Sequence, residues 1–204
     1  MAWSFIAAGS AIMGLNPTVP VPSGYASGDI LIIVSVSGTL TTPTGWTLIG
    51  TNNAWATAYY KVASASESSV AMTGGSATNE TVMLCYRGLS GFDSSSTPVN
   101  NTTAGTSVTT NTLTTTAAND LVVSVYGANI VGSPTFTAPG STTSRVNVSG
   151  VAGGGGNFAL LVVDESQASV GASTARTATL SSSDVNGALS FAFKANQSNF
   201  FLMF

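Results

Sequence analysis

The chain has no histidine, a single cysteine and very little charge: five Lys plus Arg and eight Asp plus Glu among 204 residues. Without imidazole, Ser-His-Asp and Cys-His nucleophile systems are excluded, and most zinc and iron sites lose their usual ligand. Cys85 alone can form neither an intrachain disulfide nor a thiolate cluster. Flanked by Val82, Met83, Leu84 and Tyr86, it reads as a small buried hydrophobe. Charged residues make up 6% of the chain and the net charge is -3, so there is no basic face to offer a phosphate backbone. Nucleic acid is not an expected partner. The first basic residue is Lys61, so the N-terminus lacks the charged region of a signal peptide. No apolar run approaches the length of a membrane span. Synthesis in the cytoplasm and no membrane partner are the expectations. Helices are missing too, because no window carries a 3.6-residue apolar stripe and Gly, Ser and Thr interrupt every candidate.

What remains is β-pattern. Hydrophobic residues make up 44% of the chain. The run Ile30-Leu31-Ile32-Ile33-Val34, entered through Gly28-Asp29, is rich in β-branched residues and apolar at consecutive positions. Alternation would expose every second side chain, so such a run predicts a central strand covered on both faces. Leu121-Val122-Val123-Ser124-Val125, entered through Asn119-Asp120, repeats the idea. Shorter strands are expected at residues 3–6, 11–15, 46–49, 55–62, 70–72 and 80–87. Residues 16–22 should be extended but kept out of a sheet interior by Pro17, Pro20 and Pro22. Trp46 should pack on the core. Residues 88–105, all but devoid of large apolar side chains, read as a crossover loop, with a strand at 106–115 beyond it.

The second half then matches the first in pattern: 29–37 with 120–127, 58–62 with 161–165, 70–72 with 178–180, and 82–87 with 188–193. About four strands per half predict an all-β fold, a Greek-key or jelly-roll-like antiparallel β-sandwich built from two similar halves. We expect one domain. Residues 1–24 supply N-terminal strands and a Pro-rich segment, 25–195 the sandwich core, and 196–204 an apolar tail. That tail holds Phe200, Phe201, Leu202, Met203 and Phe204. It either closes the sandwich as a last strand or docks on a neighbouring subunit or another protein.

Catalytic chemistry is hard to assemble. Asp164 and Glu165, adjacent on one strand, point to opposite faces and cannot share a substrate. Asp29 and Asp120 could pair from separate strands but read better as turn caps. Lys61 and Arg87 are expected to pair with Glu67 or Glu80. The glycines at 153–156 have no following Lys-Ser/Thr and read as a hairpin loop, and no stretch has calcium-loop spacing. No cofactor or metal is expected. Trp55, Tyr59 and Tyr126 could serve a sugar site, although aromatics at strand positions are more often core.

Four motifs follow in order: Gly28-Asp29-Ile30-Leu31-Ile32; Pro43-Thr44-Gly45-Trp46; Tyr60-Lys61-Val62-Ala63; and Tyr86-Arg87-Gly88. Their succession resembles a β-sandwich domain found in tailed-bacteriophage virion proteins and some bacterial surface proteins, over roughly residues 25–195. The resemblance implies a structural or attachment role and carries over no catalytic residues. The expectation is therefore a non-enzymatic virion structural protein on the particle exterior, a capsid decoration or head-fibre protein. Its alternative is a tail-fibre or adhesin module that binds host-surface glycan. Partners would be the shell protein or neighbouring subunits, with a homo-oligomer expected and threefold assembly common among such relatives. Trp3 and Phe5, with Phe200, Phe201, Leu202 and Phe204, are the candidate assembly contacts.

Overall fold

The computed structural model describes residues 3–36, 40–52, 54–75, 78–130, 135–151 and 157–196. The first half contributes β1 (Ser4–Ala8), β2 (Ile12–Gly14), β3 (Thr18–Val19), β4 (Ile30–Val36), β5 (Thr47–Thr51), β6 (Thr57–Val62), β7 (Val70–Ala71) and β8 (Asn79–Arg87). The second contributes β9 (Leu89–Ser95), β10 (Val99–Thr109), β11 (Thr114–Thr115), β12 (Asp120–Ile130), β13 (Phe136–Thr137), β14 (Thr143–Val151), β15 (Asn157–Gln167), β16 (Gly171–Ala172) and β17 (Thr177–Ala195). Each half builds a sheet of its own. One runs β1-β8-β4-β6-β5 with β2 beside β1 on β8. The other runs β10-β17-β12-β15-β14, with β9 and β13 also on β17. The two sheets pack face to face as an antiparallel β-sandwich.

Every residue of β4 is buried, as its unbroken apolar run requires. Ile30, Ile32, Val34 and Val36 point inward to a core shared with Leu121, Val123, Val125, Leu160, Val162, Leu189 and Phe191 of the other sheet. Leu31 and Ile33 point outward, under a second cluster with Val19, Leu40, Met72 and Met83. That outer layer includes the β3–β7 ribbon, and Tyr25 and Trp46 pack against its cluster. The second sheet buries its own outer face, where Tyr126, Leu161 and Val163 lie under Val108, Phe136 and Leu180.

The central strands of the two halves correspond residue by residue. Ile30 faces Tyr86 and Val62 as Leu121 faces Phe193 and Ser166. Both β5 and β14 carry a bulge at the same place, between Leu48 and Gly50 and between Ser144 and Val146. The turns ahead of these strands match as well: Pro43-Thr44-Gly45 has φ +81° at Gly45, and Pro139-Gly140-Ser141 has φ +65° at Ser141. Each half also has a small ribbon, β3–β7 and β11–β16. Each ribbon is extended by one backbone bond, from Met72 N–H to Pro17 O (2.9 Å) and from Ser173 N–H to Leu113 O (2.8 Å).

Four sequence expectations are corrected by this structure. Residues 88–105 are not a crossover loop but β9 and the start of β10, the second copies of β1 and β2. Phe92 lies opposite Phe193 as Phe5 lies opposite Tyr86. Gly9 N–H and Ser96 N–H then donate to equivalent carbonyls, those of Met83 and Ser190. Second, the pattern matches slide by one: the equivalent of residues 82–87 is 189–194, which pairs Arg87 with Lys194, and that of 58–62 is 162–166. Third, the counterpart of Val70-Ala71 is β16. Residues 178–180 belong instead to β17, a single strand where two had been expected. The expected strand at 106–115 divides into the end of β10 and the short β11.

The β5–β6 hairpin tip reaches across to the other sheet. Asn52 Oδ1 accepts the N–H groups of Ala54, Trp55 and Ala56, and its amide donates to Val99 O across the sandwich at 2.7 Å. The tip so held lies over Gly127 and Gly187, which face each other on β12 and β17. A Cβ on Gly127 would sit 1.9 Å from the Trp55 carbonyl oxygen and 2.8 Å from both Val36 methyls. Gly127→Ala should therefore cost roughly 1–3 kcal/mol, the usual range for overpacking. In urea unfolding the midpoint should fall with little change in slope; an unmoved midpoint would contradict this close approach.

Candidate functional site

The chain has only five cations, and each is held by a carboxylate. Arg87 grips Asp29 through Nε (2.9 Å) and Nη2 (2.8 Å), and Asp29 Oδ2 also takes the Ala26 N–H at 2.7 Å. Burial pushes the Asp29 carboxyl up, but the Arg87 hydrogen bonds, the Ala26 N–H and the Arg87 charge outweigh it and hold the group below its ordinary range. Asp29 is thus the turn cap expected, and Arg87 pairs with it in place of Glu80. Lys61 takes Glu67 at 2.7 Å, one of the two pairings expected. Arg176 pairs with Glu165, while Arg145 holds Asp164 at 2.7 Å. Asp164 and Glu165 do part to opposite faces.

The predicted site residues separate. Tyr59 and Tyr126 are core residues; the Tyr59 hydroxyl donates to Leu40 O at 2.7 Å, and burial pushes its pKa to about 12. Trp55 is half-buried in the hairpin tip. Cys85 is fully buried, its thiol pushed to about 12 by burial and then by the Asp29 charge, so it is not a reactive thiolate. Trp3 and Phe5 lie half-buried, edge-on to Tyr86 at 6.1 and 5.3 Å, with Arg145 over the Phe5 ring at 4.5 Å. The other assembly candidates, Phe200, Phe201, Leu202 and Phe204, lie outside the described residues, as do the glycines at 153–156.

Sequence reasoning missed a pair of acids. Asp93 in β9 occupies the bulge position that Ile6 occupies in β1. Its carboxylate accepts the Thr116 N–H at 2.7 Å and the Thr116 hydroxyl at 2.5 Å, lies 3.5 Å from Lys194 Nζ, and meets the carboxyl of Asp120. In the first half Arg87 neutralises Asp29. In the second, the equivalent Lys194 is taken by Asp93, and Asp120 is left beside another acid. Burial, reinforced by Asp93, raises Asp120 to about 6. The sequence hides the pair, because the Ser- and Gly-rich residues around Asp93 read as loop.

A groove of about 450 Å³ opens beside the β3–β7 ribbon. Trp46 lines it, with the Lys61–Glu67 pair, Thr42, Thr44 and Ser69. Its rim is tied down. Glu67 Oε1 accepts Ser64 N–H at 2.6 Å and Ser64 Oγ at 2.8 Å, and Glu67 N–H donates to Tyr25 Oη at 2.7 Å. Among the described residues no group of three or more His, Cys, Asp or Glu could hold a metal ion. No family model, curated protein or solved structure matches this chain. The groove and the acid pair must therefore be interpreted from their own chemistry. No helix among the described residues is long and apolar enough to cross a membrane.

The acid pair makes a signed prediction. A carboxyl raised from 3.8 to about 6 on folding adds stability at low pH, and that stability is lost as pH rises through 6. Asp29, Glu67 and Asp93 are lowered, so their contribution runs the other way and is lost as pH falls. Comparison with Asp120→Asn isolates the pair. Its stability relative to the unsubstituted chain should rise between about pH 4 and pH 6.5 and then level off. A difference in urea midpoints independent of pH would contradict a shared proton.

Proposed function

We propose that this chain is a non-enzymatic structural protein of a phage particle exterior, a capsid decoration or head-fibre protein. The observation that carries the reading is the internal commitment of charge. All five cations sit in ion pairs within the chain, so the surface left for partners is mostly hydroxyl, amide and small apolar groups. Such a surface associates by shape and area, with little cost from stripping water off ions. The four motifs behind the phage resemblance support the same reading. Asp29 of the first is bonded to Arg87 of the fourth and, through its carbonyl, to Ala63 N–H of the third. These three motifs are parts of one structural joint, which suits a scaffold. In this reading the chain assembles as an oligomer, with threefold assembly as among the relatives it resembles, and binds the shell through Trp3, Phe5 and the apolar tail.

The test is the copy number of the chain in purified particles, measured by quantitative mass spectrometry against the major shell protein. Numbers comparable with the shell are expected. Absence from any particle would overturn the reading. Deleting residues 198–204 should release the protein from particles while its unfolding free energy stays within about 0.5 kcal/mol of the full chain, the range of changes away from a core; unchanged attachment would exclude the tail as anchor.

A second reading, an attachment module that holds host-surface glycan, is favoured by the groove at Trp46. On that reading the chain would be present at a few copies per particle, at a fibre or tail tip.

A further inference from the structure

The internal repeat isolates what is special about this groove. Trp46 and Thr142 occupy equivalent places, each following the same Pro-initiated turn, because Thr47 and Thr143 face the equivalent residues Tyr60 and Asp164. In the second half the Thr142 hydroxyl folds back on Pro139 O at 2.7 Å, offering no aromatic face. The place of Lys61 is taken there by Glu165, which Arg176 holds. The shared fold therefore needs neither a tryptophan nor a lysine at these positions. In the first half an aromatic ring, Thr and Ser residues and an ammonium–carboxylate pair line one open groove.

We propose that the groove binds a short stretch of neutral polysaccharide, with Trp46 as the stacking platform. The proposal rests on the attachment reading above and locates its site. A pyranose ring presents an apolar C–H face and a rim of hydroxyls that both donate and accept. Trp46 meets the first with an amphipathic ring, while Thr42, Thr44 and Ser69 can bond the second. Lys61 has three N–H donors and gives one to Glu67, so it can donate to a sugar oxygen without breaking its pair. Because ammonium and carboxylate already neutralise each other, the groove has no net charge with which to select an acidic sugar. The bonds from Glu67 to Ser64 and Tyr25 hold the rim before ligand arrives, which lowers the ordering cost of binding. The volume, about 450 Å³, lies at the lower end of the range for small-ligand sites.

The test uses the full ¹⁵N-labelled chain titrated with maltotriose, cellotriose and chitotriose, followed by the indole N–H signals of Trp3, Trp46 and Trp55. At least one trisaccharide should bind in the millimolar range and move the Trp46 signal while the others stay still. Trp46→Ala could disturb the core beneath it, so Ser69→Arg is the companion: Ser69 is exposed and its replacement fills the groove from the rim. Ser69→Arg should weaken binding at least tenfold, about 1.4 kcal/mol, with an unchanged melting temperature. Failure of all three sugars to bind would overturn the proposal. Binding that leaves Trp46 unmoved and survives Ser69→Arg would overturn the groove and leave the attachment reading standing. Tighter binding of trigalacturonate than of any neutral probe would overturn the neutral class.

Discussion

Two strands with apolar side chains on both faces, β4 and β12, set the terms for everything around them. A strand of that kind needs two covers, and neither sheet can supply both. The inner cover of each is the other sheet, through the cluster that joins Ile32 and Val34 to Val123 and Leu160. The outer cover is made by each half from its own chain, with ribbon and loop residues over the first sheet and Val108, Phe136 and Leu180 over the second. Burial at this scale is the dominant favourable term in folding, so the polar groups caught in it must be satisfied locally. That is the role left to the few charges.

The joints between the sheets show how one scaffold tolerates two chemistries. At one corner Tyr86 donates to Asp164 at 2.9 Å, and Arg145 closes the set over Phe5. At the equivalent corner Phe193 stands for Tyr86, Tyr60 for Asp164, and Phe92 for Phe5, giving three mutually packed rings. A polar network and an aromatic cluster fill the same place. Equivalent positions have diverged at the surface as well, and the groove at Trp46 and the acid pair at Asp93 and Asp120 are each confined to one half.

Much of this was legible in the residues. Unbroken aliphatic runs at 30–34 and 121–123 have few alternatives to a doubly covered strand, and the Asp that opens each run caps its turn as its position suggested. What misled was composition. Residues 88–105 are mostly Ser, Thr, Asn and Gly, yet β9 and β10 form because β17 offers an unpaired edge. Register supplies what propensity lacks there, and Leu89, Phe92 and Val99 are the side chains that signal it. The one-residue slips have a related cause: apolar patterns repeat every two residues and tolerate misalignment, whereas the polar ends, Arg87 with Lys194, do not. The partnership of Asp93 with Asp120 depends on a bulge and could not be read from spacing.

The central claim is that the halves are equivalent but incomplete, each lacking the inner cover that only the other provides. Differential scanning calorimetry of the whole chain tests it most directly. A shared core predicts one transition whose calorimetric and van't Hoff enthalpies agree. Two separable transitions, each assignable to one half, would show that the sheets stand alone and would contradict the account.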